Sequence, residues 1–308
     1  MKRTKNRPDV SVIMAVYNLS DKQILGESIR SVLNQTFQNL ELIICDDAST
    51  DGTWEALKEI AATDDRIRLL RNRENRKAGY ARNRCIKSAA GDYIAVMDAD
   101  DVSAPDRIEK QYGFLQRHPE IAFVGSRGEF FKYRIGDDGE LYWYKKQPQE
   151  RDFLFSLPFV HASILFRKEA LLCVRGYDSG KRAIRAEDYD LLLRLYGEGK
   201  RGYNLDAVLY YIRRDEKQYK RRKYRYRLHE AYIKYRGFKN LGLFPGGILY
   251  VIKPLLVGLI PMPIMKAIQK SYYGRKQRKS EDDGHYHSQL SDMEFKYQMH
   301  EKHNRNAK

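Results

Sequence analysis

Along the first hundred residues, short apolar blocks alternate with segments whose apolar positions fall at helical spacing. Val10 to Val16 is a run of strand length, and Ile24, Leu25, Ser28, Ile29, Val32 and Leu33 follow on one helical face. The step then repeats. Leu40 to Cys45 predicts a second strand ending in Asp46 and Asp47, after which Thr53 can cap a helix carrying Trp54, Leu57 and Ile60 on one side. Ile67 to Leu70 predicts a third strand, and a helix over Ala81 to Ala90 is stopped by Gly91 just before the strand Tyr93 to Met97. This alternation predicts an α/β fold, a mainly parallel sheet with helices on both faces.

In such sheets ligands gather beyond the carboxyl ends of the strands, where loops present polar groups free of the ladder. The polar residues fall there: Tyr17 and Asn18 after the first strand, Asp46 and Asp47 after the second, and Asp98, Asp100 and Asp101 after the strand from Tyr93. Three loops are therefore expected to converge on one crevice. Beyond about residue 115 the alternation weakens. Strands are expected at Ile121 to Gly125, Ala162 to Phe166 and Val208 to Ile212, with a helix from Asp188 to Tyr196.

Composition narrows the class. A hydrophobic fraction of 42% with 23 Tyr and 12 Phe belongs to a folded chain, since disordered chains are poor in aromatic residues. The 57 Lys and Arg against 41 Asp and Glu leave a net charge of +16, which favours polyanionic partners: nucleic acid, anionic membrane or phosphorylated substrates. Cys45, Cys85 and Cys173, an odd number near apolar stretches, suit buried free thiols in a reducing compartment. The first apolar run leads directly into Tyr17 and Asn18, so it is expected to be a buried strand and not a signal peptide.

Asp98-Ala99-Asp100-Asp101 places hard oxygen ligands at a strand end, suited to Mg or Mn with coordination positions left for phosphate oxygens. An acidic turn ahead of the helix after Pro105 is the plainer reading of the same residues. Lys77, Arg82 and Arg84 can offset diphosphate charge, Arg82 foremost, and Gly79 can admit a close approach of backbone to ligand. Glu187 and Asp188 open a helix, where one carboxylate favours the N-terminus while the other points into the crevice.

The strings from Val12 to Asn18, from Cys45 to Thr53 and from Gly91 to Asp101, with Ala81-Arg82-Asn83 after Gly79 and Ala186 to Leu191, stand in the order and separation found in family 2 glycosyltransferases of the GT-A fold. The chain resembles that family from Val10 to Arg213, and among its members the transferases of bacterial exopolysaccharide and capsule synthesis. The resemblance implies an inverting transferase that moves a hexose or N-acetylhexosamine from a nucleotide-sugar donor, UDP-linked, to a saccharide or polyprenyl-linked acceptor. It implies that Val16, Tyr17, Asn18, Asp47, Lys77, Gly79, Arg82, Asp98 and Glu187 line the substrates, with Asp47 on the nucleobase. Asp100 is implied as the principal ligand of a Mn or Mg cofactor, Asp98 as ribose or metal shell, and Asp188 as the base. His161 resembles an acceptor-side position, and a buried structural histidine is the alternative. Where relatives carry a histidine after the strand ending at Ile212, this chain reads Arg213-Arg214-Asp215-Glu216.

The expected organisation is a basic arm (1–8), a GT-A catalytic domain (9–213, divided near 115 into donor and acceptor halves), a basic, amphipathic helical region (214–270) and a flexible charged tail (271–308). From Arg213 to Arg227 nine positions are Lys or Arg, and downstream Leu228, Ala231, Tyr232, Tyr235 and Phe238 recur at helical spacing. Basic residues beside tyrosines are ingredients of single-strand nucleic-acid binding. The apolar Ile248 to Met265 that follows fits an anionic inner membrane surface better, so no nucleic-acid partner is expected. Lys253 and prolines 254, 261 and 263 inside this stretch favour a re-entrant or interfacial element over a span. A membrane-associated regulatory protein that keeps the transferase fold is the alternative from another class.

Overall fold

The computed structural model describes residues 7–142, 144–214, 224–257 and 259. The basic run from 215 to 223, the apolar positions 258 and 260–265 and the charged tail lie outside them. The chain divides at Pro254 and Leu255 into two units, and the elements that carry chemistry belong to the first.

Its centre is an eight-stranded sheet in the order β3-β2-β1-β4-β7-β6-β8-β5. Strands β1 (Val10–Val16), β2 (Leu40–Asp46), β3 (Ile67–Arg71) and β4 (Tyr93–Asp98) are parallel, as alternation with α1 (Lys22–Leu33), α2 (Thr53–Ala61) and α3 (Lys77–Ser88) requires. Every residue of β2 is buried, the expected state of a parallel strand covered on both faces. Asp21 starts α1 by accepting from the N–H groups of Gln23 and Ile24 at 3.0 and 3.1 Å.

The second half departs from a mainly parallel sheet. β5 (Val102–Ser103), α4 (Arg107–Arg117), β6 (Phe123–Phe131), β7 (Leu165–Arg167), α5 (Lys168–Cys173), α6 (Glu187–Gly197) and β8 (Gly202–Arg213) follow, and β7 is antiparallel to both β4 and β6. The expected strand over Ala162 to Phe166 is split, because residues 161–163 form a 3₁₀ turn before β7. β6 and β8 run longer than their apolar patterns, since parallel pairing across a bulge carries both to Phe131 and Arg213. α3 likewise starts four residues earlier than its apolar pattern.

Two local expectations change. Gly52, in the left-handed region at φ 89°, occupies the cap of α2, while the Thr53 hydroxyl accepts from Leu19 N–H at 2.9 Å and so joins the first two loops. Cys45 and Cys85 are buried free thiols, but Cys173 is exposed at the end of the short helix α5.

α7 (Arg225–Asn240) packs against α6 so closely that a Cβ on Gly237 would lie 2.4 Å from Leu193 Cδ1. The buried Asp190 carboxylate ties the pair together, accepting from Arg194 Nε at 2.7 Å and from Arg236 of α7. α8 (Ile248–Val257) follows. Among the described residues no helix is long and apolar enough to cross a membrane.

Candidate active site

Sheet register brings the three loops to one level. Val16 at the end of β1 pairs with Asp46, and Ala15 pairs with Asp98 on the other side. Four non-glycine residues with left-handed backbone stand around this edge or at the helices that flank it: Asn18 (φ 48°), Ala48 (61°), Lys77 (71°) and Arg185 (69°). Such conformations persist only where the surroundings impose them, and they gather at functional sites.

Asn18 links the first two loops, its N–H donating to Ser49 Oγ at 2.9 Å and its Oδ1 accepting from Thr50 N–H at 3.0 Å. Tyr17 beside it is half exposed, whereas Val16 is a core side chain whose carbonyl is taken by the Asp47 N–H. Asp46 is fully buried, accepting from Ser49 N–H and pairing with Arg71 at 3.2 Å, so it works to hold the turn. Asp47 is also engaged. It accepts from Asn72 Nδ2 at 2.6 Å and from the N–H groups of Arg76 and Lys77 at 2.9 and 2.8 Å. A carboxylate has about four lone-pair sites, so roughly one remains for a ligand.

The helix that Asp47 anchors points its second turn at the acidic loop. Arg82, with a side chain 10% exposed, donates to Asp98 Oδ1 at 2.6 Å and lies 5.6 Å over the Tyr177 ring. Its Nε has no partner, and neither has the buried Glu187 Oε2. Gly79 leaves room for protein: a Cβ there would meet Tyr177, Asp178 and Glu187 at 3.4 to 3.6 Å. The Lys77 ammonium turns to Asn75, and Arg84 binds the Arg71 carbonyl and Asn72, leaving Arg82 as the guanidinium aimed into the cluster.

Asp188, partly accessible at the start of α6, accepts from Tyr189 N–H at 2.7 Å. Loss of hydration raises its carboxyl to about 6, the Glu187 charge adds to this and Arg82 opposes it. His161 is nearly buried with Nε2 2.9 Å from the Tyr177 hydroxyl. Burial, then the Arg82 charge, lowers it to about 3, so the imidazole is neutral at physiological pH.

The acidic loop itself is held by residues outside the expected motifs. Asp101 is buried and accepts from the Arg213 N–H at 2.8 Å, and the Arg213 guanidinium donates to the Asp100 carbonyl at 2.9 Å and to Glu27 at 2.7 Å. Arg213 thus fastens the loop at the stretch where the family resemblance had implied a histidine. The Tyr210 hydroxyl accepts from the Asp98 N–H at 3.1 Å. Burial, and after it the neighbouring Asp100 and Asp98 charges, push the Asp101 carboxyl well above the carboxylate range. Among the described residues no three His, Cys, Asp or Glu side chains form a metal cage. A cation here would take Asp98 and Asp100 as protein ligands and complete its shell with ligand oxygens, as Mg and Mn do with phosphates.

Several supporting residues escape pattern reading. Arg107 and Gln111, one turn apart on α4, are fully buried and donate to the carbonyls of Val96 and Ala162, and of Val124 and Ser163. They staple the His161 turn to β4 and β6; the available signal was two polar residues on the helix face that also carries Ile108 and Leu115. Asn83 clamps both backbone groups of Tyr177 at 2.8 Å, next to Gly176 in the left-handed region at φ 67°. A Cβ on Gly176 would lie 2.4 Å from Asn83 Oδ1, so the clamp requires glycine there.

Residues 11–174 match the sequence family described as Glycosyl transferase family 2, and residues 93–269 match Glycosyl transferase family group 2. The chain is 40% identical over 264 residues to the Putative glycosyltransferase EpsE of Bacillus subtilis (strain 168), covering 85% of this chain and 94% of that one. It is 32% identical to the UDP-Glc:alpha-D-GlcNAc-diphosphoundecaprenol beta-1,3-glucosyltransferase WfaP of Escherichia coli, over 66% of this chain and 76% of that one. Among solved structures, the mannosyltransferase PcManGT of Pyrobaculum calidifontis, in complex with GDP-Man and Mn2+, superposes with a TM-score of 0.57 at 20% identity. That match covers 87% of this chain and 80% of the other, and it shows a common fold.

Proposed function

The chain belongs to glycosyl transferase family 2, and from that premise we propose that it transfers a sugar, with inversion, from a UDP-linked donor to a saccharide or lipid-linked acceptor in extracellular or capsular polysaccharide synthesis. The observation that carries this reading is Asp188, a carboxylate raised to about 6 at a helix start beside Glu187 and Arg82. A base is most effective when its pKa lies near the working pH, where it is ionised yet retains affinity for the proton. Asp188 takes the proton of the acceptor hydroxyl as that oxygen attacks the anomeric carbon opposite the departing nucleotide.

On the donor side, Asp47 uses its remaining acceptor site for an imide N–H of the nucleobase, and Tyr17 offers an exposed ring beside it. Val16 through its carbonyl and Lys77 through its N–H hold Asp47 in place, Asn18 ties the first two loops together, and Gly79 packs against Tyr177 and Glu187 on the base side. Asp100 is the principal ligand of a Mn or Mg ion, with Asp98 in the ribose or metal shell. When bound, that ion neutralises charge on the leaving diphosphate. Arg82 and Glu187 set the position and potential of Asp98 and Asp188. The names of WfaP, which include a UDP-sugar and a lipid diphosphate, and of PcManGT with Mn2+ support the donor, acceptor and cofactor classes.

The described part of the C-terminal region supports peripheral attachment to an anionic inner membrane surface. Leu228, Tyr232 and Tyr235 are exposed on α7 among basic residues, and Ile248, Leu249 and Ile252 are exposed on α8. A panel of sugar nucleotides tests the donor assignment. With Mn, a UDP-sugar is expected to raise the melting temperature, and EDTA is expected to abolish most of the shift, because a ligand confined to the native state stabilises it. Equal stabilisation with and without metal would contradict the assignment.

A further inference from the structure

The loop that leads to Asp188 carries a charge pattern the donor crevice does not use. Residues 179–186 contain Lys181, Arg182 and Arg185, all exposed, and no acidic residue. Asp178 at its entrance accepts from Gly180 N–H at 2.8 Å and pairs with Arg236 at 3.4 Å. Among the described residues, Lys181 and Arg185 have no hydrogen-bond or ion-pair partner, and Arg182 meets the Tyr232 ring, 4.9 Å from its centroid.

Helix α7 holds this loop along its length. Arg236 reaches Asp178, Tyr232 lies under Arg182, and His229 Nδ1 is 3.2 Å from the Ile184 carbonyl. Leu228, Tyr232 and Tyr235, at i, i+4 and i+7, form an exposed apolar stripe on the same helix. Cations and apolar stripe therefore meet at the Arg182–Tyr232 contact. An anionic acceptor approaching Asp188 also faces Glu187, and across the cluster Asp98, so its charge needs compensation outside the crevice.

We propose that Lys181, Arg182 and Arg185 bind the diphosphate of an isoprenoid-diphosphate-linked acceptor, whose hydrocarbon chain lies along Leu228, Tyr232 and Tyr235. The proposal rests on the transferase reading above and names where its lipid-linked acceptor docks. The diphosphate sits at the mouth, on cations that the donor does not need, and the sugar it carries reaches inward to the base.

Farnesyl diphosphate binding to the full chain in EDTA, where donor-side diphosphate binding lacks its cation, provides the test. Farnesyl diphosphate is expected to bind at least tenfold tighter than farnesol or inorganic diphosphate. The triple variant Lys181→Gln, Arg182→Gln, Arg185→Gln is expected to weaken it on the order of 100-fold, since each cation near a lipid phosphate contributes roughly a factor of five. Leu228→Ser is expected to reduce the advantage of farnesyl over inorganic diphosphate. Unchanged affinity in the triple variant, or farnesol binding as tightly, would overturn the proposal. So would phosphatidylglycerol vesicles that displace farnesyl diphosphate and lose their own binding in the triple variant, because the loop would then be a general lipid surface. Sugar-nucleotide stabilisation with Mn, measured on the same wild-type preparation, separates the two claims. If it persists while farnesyl diphosphate fails to bind, the acceptor site is wrong and the transferase reading stands; if it is absent, the transferase reading itself fails.

Discussion

Asp188→Asn is expected to slow transfer by about 10²- to 10⁴-fold, the range for removal of a general base, while leaving donor affinity nearly unchanged. The same substitution is expected to stabilise the fold. The Asp188 carboxyl is raised to about 6 in the folded chain from an ordinary value of 3.8, so the native state binds its proton more tightly than the unfolded state does. Its protonated form therefore favours folding below the ordinary carboxylate pKa. That contribution is lost as pH rises toward 6, and at pH 7 the ionised group opposes folding. Because Asp188 is partly accessible, the relief on replacement by Asn is about 1 to 2 kcal/mol, or roughly 2 to 8 °C in melting temperature for a domain of this size. The Asn side-chain oxygen can still accept from Tyr189 N–H, so the helix start is retained. Thermal unfolding at pH 7 together with transfer rates checks both signs. A variant both inactive and destabilised would mean that Asp188 supports the helix start and does not act as a base.

Arg82→Met carries the second large effect. Arg82 is the positive centre of a cluster containing Asp98, Glu187 and Asp188, and its removal leaves those carboxylates facing one another. Breaking a buried pair from one side costs about 3 to 5 kcal/mol; because Asp98 is 37% exposed, about 2 to 3 kcal/mol is expected here. The charge also matters for chemistry. Arg82 lowers the Asp188 carboxyl, so its loss raises that group beyond about 6 and moves the acid limb of the pH–rate profile to higher pH. In the wild type, kcat/KM is expected to fall tenfold per pH unit below about 6. Denaturant unfolding and the pH profile of the variant measure the two consequences separately. A limb that stays in place while stability falls would confine Arg82 to a structural role.

Much of this site was legible because parallel strands bring their carboxyl ends to one edge. Asp46, Asp47 and Asp98 follow or close apolar runs, so strand periodicity alone places them together. The division of labour was less legible. Asp46 and Asp47 are adjacent and both fold the chain, one through Ser49 and Arg71, the other by anchoring α3. The second half hid more, because its order comes from contacts distant in sequence. Tyr177 is placed by Asn83, ninety-four residues away, and Asp101 by Arg213, one hundred and twelve away. Neither pairing has a local pattern. Arg107 and Gln111 occupy apolar-face positions where a helical pattern expects hydrocarbon, and only the carbonyls of the His161 turn explain them. α7 was legible as an amphipathic helix, but not its hold on the loop before Asp188, which depends on Arg182, Ile184 and Asp178 meeting Tyr232, His229 and Arg236.

The stereochemistry of sugar release tests the central claim most directly. Water can replace the acceptor hydroxyl, so hydrolysis of the stabilising sugar nucleotide, followed by proton NMR before the free sugar equilibrates, reports the anomer first formed. If Asp188 activates the incoming oxygen for a single displacement, an α-linked donor must yield the β-anomer first, at a rate that collapses in Asp188→Asn. Release of the α-anomer would contradict that account.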